Sequence, residues 1–257
     1  MTLTQRLKLQ GNPFEHYTAE TEPNIAEYAV RPPYLQAISD RANGLSSFIL
    51  FGERGAGKSA TRITVFKEAW EKIYKSKSDD ARSPFVVNLT DYSSIQEAFK
   101  KDRLKEKDIL NLVAFVIIEQ MFTCLSSLED EDRQVYIEGL DPEETSLIYA
   151  LLKGFYLSVP ELDRQTSTSD ALKLLNSAWT TKSALWSARR WGALSKVFAT
   201  AINAFARKQA DDDSIDIAGP AEALLKSLVG ESPNAPRAIL AKLVDFARAF
   251  GFSGVCV

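Results

Sequence analysis

Apolar and polar positions follow two rhythms along this chain: short unbroken apolar runs, and apolar residues at steps of three and four. Phe48-Ile49-Leu50-Phe51 is an unbroken run between polar neighbours and predicts a short buried strand. Ile63, Phe66, Trp70 and Tyr74 then recur at helical spacing, which predicts a helix over 60–74. A polar break over 75–83 leads to Pro84-Phe85-Val86-Val87-Asn88-Leu89, a second strand that ends in the turn-forming Thr90-Asp91. Two buried strands separated by a helix read as a βαβ unit with a parallel sheet. Upstream, residues 12–34 are irregular, with Pro and Asn among aromatics, and 34–42 predicts a short helix.

From Ser93 to about Gly251 the pattern is helical throughout. Ile109 to Leu125 is apolar almost all round, as a helix buried in a bundle is. Asp141-Pro142-Glu143-Glu144 reads as a cap, a proline at the first helical position and acids that suit a helix N-terminus. Leu172, Leu175 and Trp179 mark another helix opening at 167–170, and Trp186 to Phe205 continues the spacing. Asp211-Asp212-Asp213 is a polar break, and Gly219-Pro220 opens one more helix. The last runs from about Pro236 to Phe250 with Gly251 as its stop, and Phe252 to Val257 is a third strand candidate.

Composition changes this picture little. The 257 residues can bury a sizeable core, and 45% hydrophobic with 25% charged residues is ordinary for a soluble globular protein. A net charge of −3 supplies no global attraction to nucleic acid or to an anionic membrane, so neither is expected as a partner. The longest apolar stretch, Leu110 to Phe122, is interrupted by Asn111, Glu119 and Gln120 and is read as too short for a bilayer. MTLTQRLKLQ has no apolar core, so no signal peptide is expected, and two cysteines fit a reducing cytoplasm.

The chemistry lies in Gly52-Glu53-Arg54-Gly55-Ala56-Gly57-Lys58-Ser59, a match to G-x-x-x-x-G-K-[ST] set between a predicted strand and a predicted helix. Glycines there let backbone N–H groups converge on an anion, and the helix dipole adds partial positive charge. Lys58 is the candidate catalytic cation, reaching β- and γ-phosphates, and the Ser59 hydroxyl is the candidate Mg²⁺ ligand. Gly52, Arg54, Gly55, Ala56, Gly57, Lys58, Ser59 and Ala60 form the expected nucleotide-binding set. No N-K-x-D sequence selects guanine, so ATP with Mg²⁺ is the expected ligand.

Asn12-Pro13-Phe14, the approach from Tyr28 to Tyr34 and the loop from Phe51 to Ser59 resemble the AAA+ and STAND class of P-loop ATPases. The resemblance implies an α/β fold: a P-loop NTPase parallel sheet core with a large all-helical insertion between the second core strand and the Walker B strand. Residues 1–92 then hold the N-terminal segment and P-loop half, 93–235 the helical insertion, and 236–257 the return to the core. In that class the segment before the first strand contacts the base, which makes Tyr28, Val30 and Pro32 candidates for an adenine pocket. A capping segment packed on the sheet edge is the other reading of those residues. The third strand candidate ends at Val257, so the Walker B acids, the sensor and any arginine finger are expected beyond it, and hydrolysis by the chain as given is expected to be poor. Glu119, after Val116-Ile117-Ile118, is the rival acid, within a helical pattern.

Other constellations add little. His16 is the only histidine, which removes most histidine metal sites and triads. Lys100 to Lys107 mixes charges as a solvated helix face does. Trp179 and Trp186 share an apolar face, which favours packing over base stacking, and Arg189 or Arg190 is a candidate sensor of a partner's phosphate. The expected function is a Mg-ATP-binding domain of an oligomeric switch or remodelling ATPase that self-associates or binds a protein partner. The alternative is a nucleotide-sensing interaction module without hydrolysis, whose helical insertion binds that partner. A phosphotransferase fits less well, because the insertion has few clustered arginines.

Overall fold

The computed structural model describes residues 30–46, 49–75, 83–127, 140–156 and 235–257, with Arg6 and Lys226 as single positions. The elements in order are α1 (Leu35–Asn43), α2 (Lys58–Lys75), β1 (Phe85–Val86), α3 (Ser93–Lys100), α4 (Glu106–Ser127) and α5 (Pro142–Leu151). A π-helical turn (Leu152–Tyr156), α6 (Ala235–Ala249) and β2 (Val255–Cys256) complete them. The expected helices 167–179, 186–205 and from 219 lie outside the described residues, as do Asn12-Pro13-Phe14, His16, Arg189, Arg190 and the Asp211–Asp213 break.

Among the described residues the fold is mostly helical, around one small parallel sheet. β1 and β2 pair in the register Phe85 with Val255 and Val86 with Cys256. The second and third strand candidates therefore pair directly. The first does not: Ile49 to Phe51 carry no strand pairing, with Ile49 78% and Phe51 84% exposed, and Phe48 lies outside the described residues. An apolar run becomes a strand only when a neighbouring edge accepts its backbone bonds, and here none does. Leu50 alone turns inward, against Leu35, Ile38, Ala42 and Val65.

The helices end where local chemistry says they should. Gly251 has φ +89°, and Phe252 N–H to Ala247 C=O with Gly251 N–H to Arg248 C=O forms the paired closure of a left-handed helix stop. At α5, the Asp141 side chain accepts from Glu144 N–H at 2.8 Å, and the Glu144 carboxylate accepts from Asp141 N–H at 3.0 Å. That reciprocal pair is a capping box. Two stops use residues other than glycine: Leu45 (φ +53°) after α1 and Asp102 (φ +52°) after α3. The Lys100–Lys107 run is therefore a junction between two helices, not one continuous helix face.

The larger of two apolar clusters among the described residues joins Phe66 and Trp70 of α2, Phe85 of β1, Phe115 to Leu125 of α4, and Phe246 of α6. Trp70 packs against Phe66 and Phe85 with its ring tilted to each, centroids 4.9 and 5.8 Å away, and its Nε1–H donates to Val86 C=O at 2.9 Å. Phe122, Phe246 and Phe250 meet edge to face at centroid distances of 5.3 to 6.1 Å. The helix window Glu106–Leu125 has the length and hydropathy of a membrane span, so the sequence argument from shortness does not hold. Its 72% burial within the fold accounts for its apolar character.

Candidate functional site

The glycine-bearing loop runs directly into α2. Gly55 and Gly57 adopt φ +87° and +78°, a region open to glycine and strained for other residues. A Cβ on either would meet nothing within 4 Å, so these glycines serve backbone conformation and leave the space above the loop open. Gly52 is needed for a different reason: a Cβ there would lie 3.1 Å from the Ala56 Cβ and 3.9 Å from the Lys58 Nζ. Ala56 N–H donates to Glu53 C=O at 3.2 Å and closes the turn.

The first α2 bond runs from Thr61 N–H to Gly57 C=O at 2.9 Å. The N–H groups of Lys58, Ser59 and Ala60 therefore precede the helical ladder, at the positive end of the helix dipole. The Lys58 ammonium folds back over the loop and donates to Gly52 C=O and Glu53 C=O, both at 2.8 Å. Those carbonyls hold the cation over the turn from which an anion would displace it.

Lys58 and Ser59 are among the residues lining a cleft of about 670 Å³. Its walls come from α1 (Ile38, Ala42), α2 (Val65), the residues after β1 (Asn88, Tyr92) and β2 (Val255). This is the end of a parallel sheet at which α/β proteins bind ligands. Asn88 lies two residues past the end of β1, and its backbone is captured by a side chain of α4. Asn88 N–H donates to Gln120 Oε1 at 2.9 Å, and Gln120 Nε2 donates to Asn88 C=O at 2.7 Å. Gln120 thus replaces the neighbouring strand that those groups would otherwise need. Cys256 also lines the cleft, and burial pushes its thiol pKa up.

The expected site residues separate into groups. Gly52, Gly55, Ala56, Gly57, Lys58, Ser59 and Ala60 share the loop and first helical turn, while the Arg54 side chain is exposed on the loop. Val30 is 92% exposed and Pro32 half-buried before α1, neither lining the cleft, and Tyr28 lies outside the described residues. Glu119 is fully buried in α4 and does not line the cleft. Asn88, Gln120 and Tyr92 were not singled out from sequence. The available signal was a polar residue ending an apolar strand run and a polar residue interrupting an apolar helix. Comparison with protein-family models, characterised proteins and solved structures finds no match to this chain.

Proposed function

We propose that this chain is a Mg-ATP-binding domain of the P-loop type, serving an oligomeric switch or remodelling ATPase. One observation carries the reading: two left-handed glycines with open space above them lead into the N-terminus of an 18-residue helix that begins Lys58-Ser59. The residues suit the ligand. Backbone N–H groups and a lysine ammonium are donors for phosphate oxygens, and the Ser59 hydroxyl is a hard oxygen donor for Mg²⁺. Bound magnesium would neutralise phosphate charge, while Lys58 would hold the β- and γ-phosphates beside the cleft.

Lys58→Ala removes a charge-assisted donor worth about 1.5–3 kcal/mol, so the Kd for Mg-ATP should rise roughly 10- to 100-fold. Titration calorimetry on the full chain measures it, and an unchanged affinity would refute the reading. The second reading, an interaction module that senses nucleotide without consuming it, is favoured by α3. That helix buries no residue and leaves Phe99 70% exposed. Tight binding without turnover, with a fall in hydrophobic-dye binding when nucleotide is added, would select the second reading.

A further inference from the structure

We infer that Asn88 is an additional ligand-contacting residue of this cleft, its Oδ1 accepting a hydrogen bond from a water molecule of the magnesium–phosphate hydration shell. This inference rests on the reading of the loop as a phosphate cradle. Asn88 is 6% exposed and lines the cleft together with Lys58, Ser59 and Thr61. Its backbone N–H and C=O are both engaged by Gln120, so the strand end is held without help from its own side chain. The Oδ1 atom has no hydrogen-bond partner and is closed off by its neighbours, so a turn of the Asn88 side chain is needed to present it to the cleft that the residue lines. A buried acceptor in that condition destabilises a fold, and native proteins rarely keep one without a use. Leucine or valine would continue the Phe85–Leu89 run at no such cost.

The chemistry of the acceptor identifies what it takes. A phosphate oxygen is also an acceptor, so Oδ1 and the phosphate cannot bond directly. A donor to both must lie between them, and water is the smallest molecule with two donor hydrogens. Magnesium retains several waters when it binds phosphates and polarises them into strong donors. A carboxamide supplies the acceptor without placing a further negative charge beside an oligophosphate, as an aspartate would.

The test uses the full chain and Asn88→Leu, with Asn88→Asp as the variant that keeps an acceptor. Binding of a non-hydrolysable ATP analogue is measured by calorimetry with magnesium and again in EDTA, alongside the Tm of the nucleotide-free protein. Asn88→Leu should leave the Tm unchanged or raise it and weaken magnesium-dependent binding about fivefold, the worth of one hydrogen bond. Binding in EDTA should not change, and Asn88→Asp should retain the gain from magnesium. Unchanged magnesium-dependent affinity in Asn88→Leu overturns the inference and leaves the cradle reading standing. A lower Tm with equal weakening in both conditions makes Asn88 a structural residue and also overturns it. Failure of the unaltered chain to bind the analogue under either condition removes both readings together.

Discussion

Replacing Gln120 tests whether α4 holds the strand end that borders the site. In Gln120→Leu the side-chain volume is nearly kept, so the cavity and overpacking terms are small. Two buried hydrogen bonds, at 2.9 and 2.7 Å, disappear, and Asn88 N–H and C=O lose the partners that Gln120 gave them. Each buried backbone group left unsatisfied costs about 1–3 kcal/mol, so the loss should be roughly 2–6 kcal/mol. Against a typical total of about 5–15 kcal/mol, that is a large fraction of the stability of a domain. Urea unfolding followed by tryptophan fluorescence, fitted for midpoint and slope, measures it. Gln120→Glu should restore part of the loss, because a carboxylate still accepts from Asn88 N–H but repels its C=O. A loss below about 1 kcal/mol in Gln120→Leu would refute the reasoning, since water would then be satisfying both groups in place of the amide.

Two further outcomes follow from the same region. Gly254→Ala places a Cβ 2.8 Å from the Leu45 Cδ1, the end of a 45% exposed side chain that can turn away, so it should destabilise by only about 0.5–1.5 kcal/mol, the cost of displacing that rotamer. Leu45→Gly should suppress that loss by removing the clash and suiting the +53° φ, which a double-mutant cycle would read as non-additivity and plain additivity would refute. Burial raises the Cys256 thiol above its ordinary value of 9.0, so alkylation should be slow at neutral pH and quicken only above that value. The unfolded chain loses this proton first on going alkaline, so the Cys256 contribution to stability should fall as pH rises past 9.0; Cys256→Ala should flatten that decline, and an unaltered alkaline slope would count against burial as the cause.

How far the sequence foretold the structure depends on whether the deciding interactions are local. α2 and α6 follow from apolar spacing, and the stop at Gly251 and the Asp141–Glu144 cap follow from side chains within a few residues of one another. The loop glycines were legible for the same reason, because a left-handed turn before a helix is a local demand. Strands were less legible. The Phe48–Phe51 run has the composition of a strand, yet pairing is decided by a distant edge, and β1 pairs instead with β2 at the far end of the chain. Leu45 gave no sign of a left-handed turn, since leucine does not advertise one. The Asn88–Gln120 link was hidden because each residue looked only like a polar blemish in an apolar segment.

Several departures from local rules lie around the small sheet and its cleft, and their location bears on function. The aromatic contacts of Trp70, Phe85, Phe122, Phe246 and Phe250 fill the interior with complementary ring geometry. Around the sheet and its cleft the chain instead tolerates a leucine at positive φ, a glycine packed against that leucine's side chain, and a buried carboxamide oxygen without a partner. Leu45 and Asn88 both line the same cleft as Lys58 and Ser59. A scaffold selected for stability alone would have little use for the leucine or the carboxamide, since glycine suits a positive φ and an apolar side chain leaves no orphaned acceptor. Their gathering beside one helix N-terminus fits a ligand site, where local rules are commonly broken and the cost is offset by the packed core behind it. The core and the cleft meet at Gln120, which fixes the strand end from the core side and leaves the Asn88 side chain to the cleft.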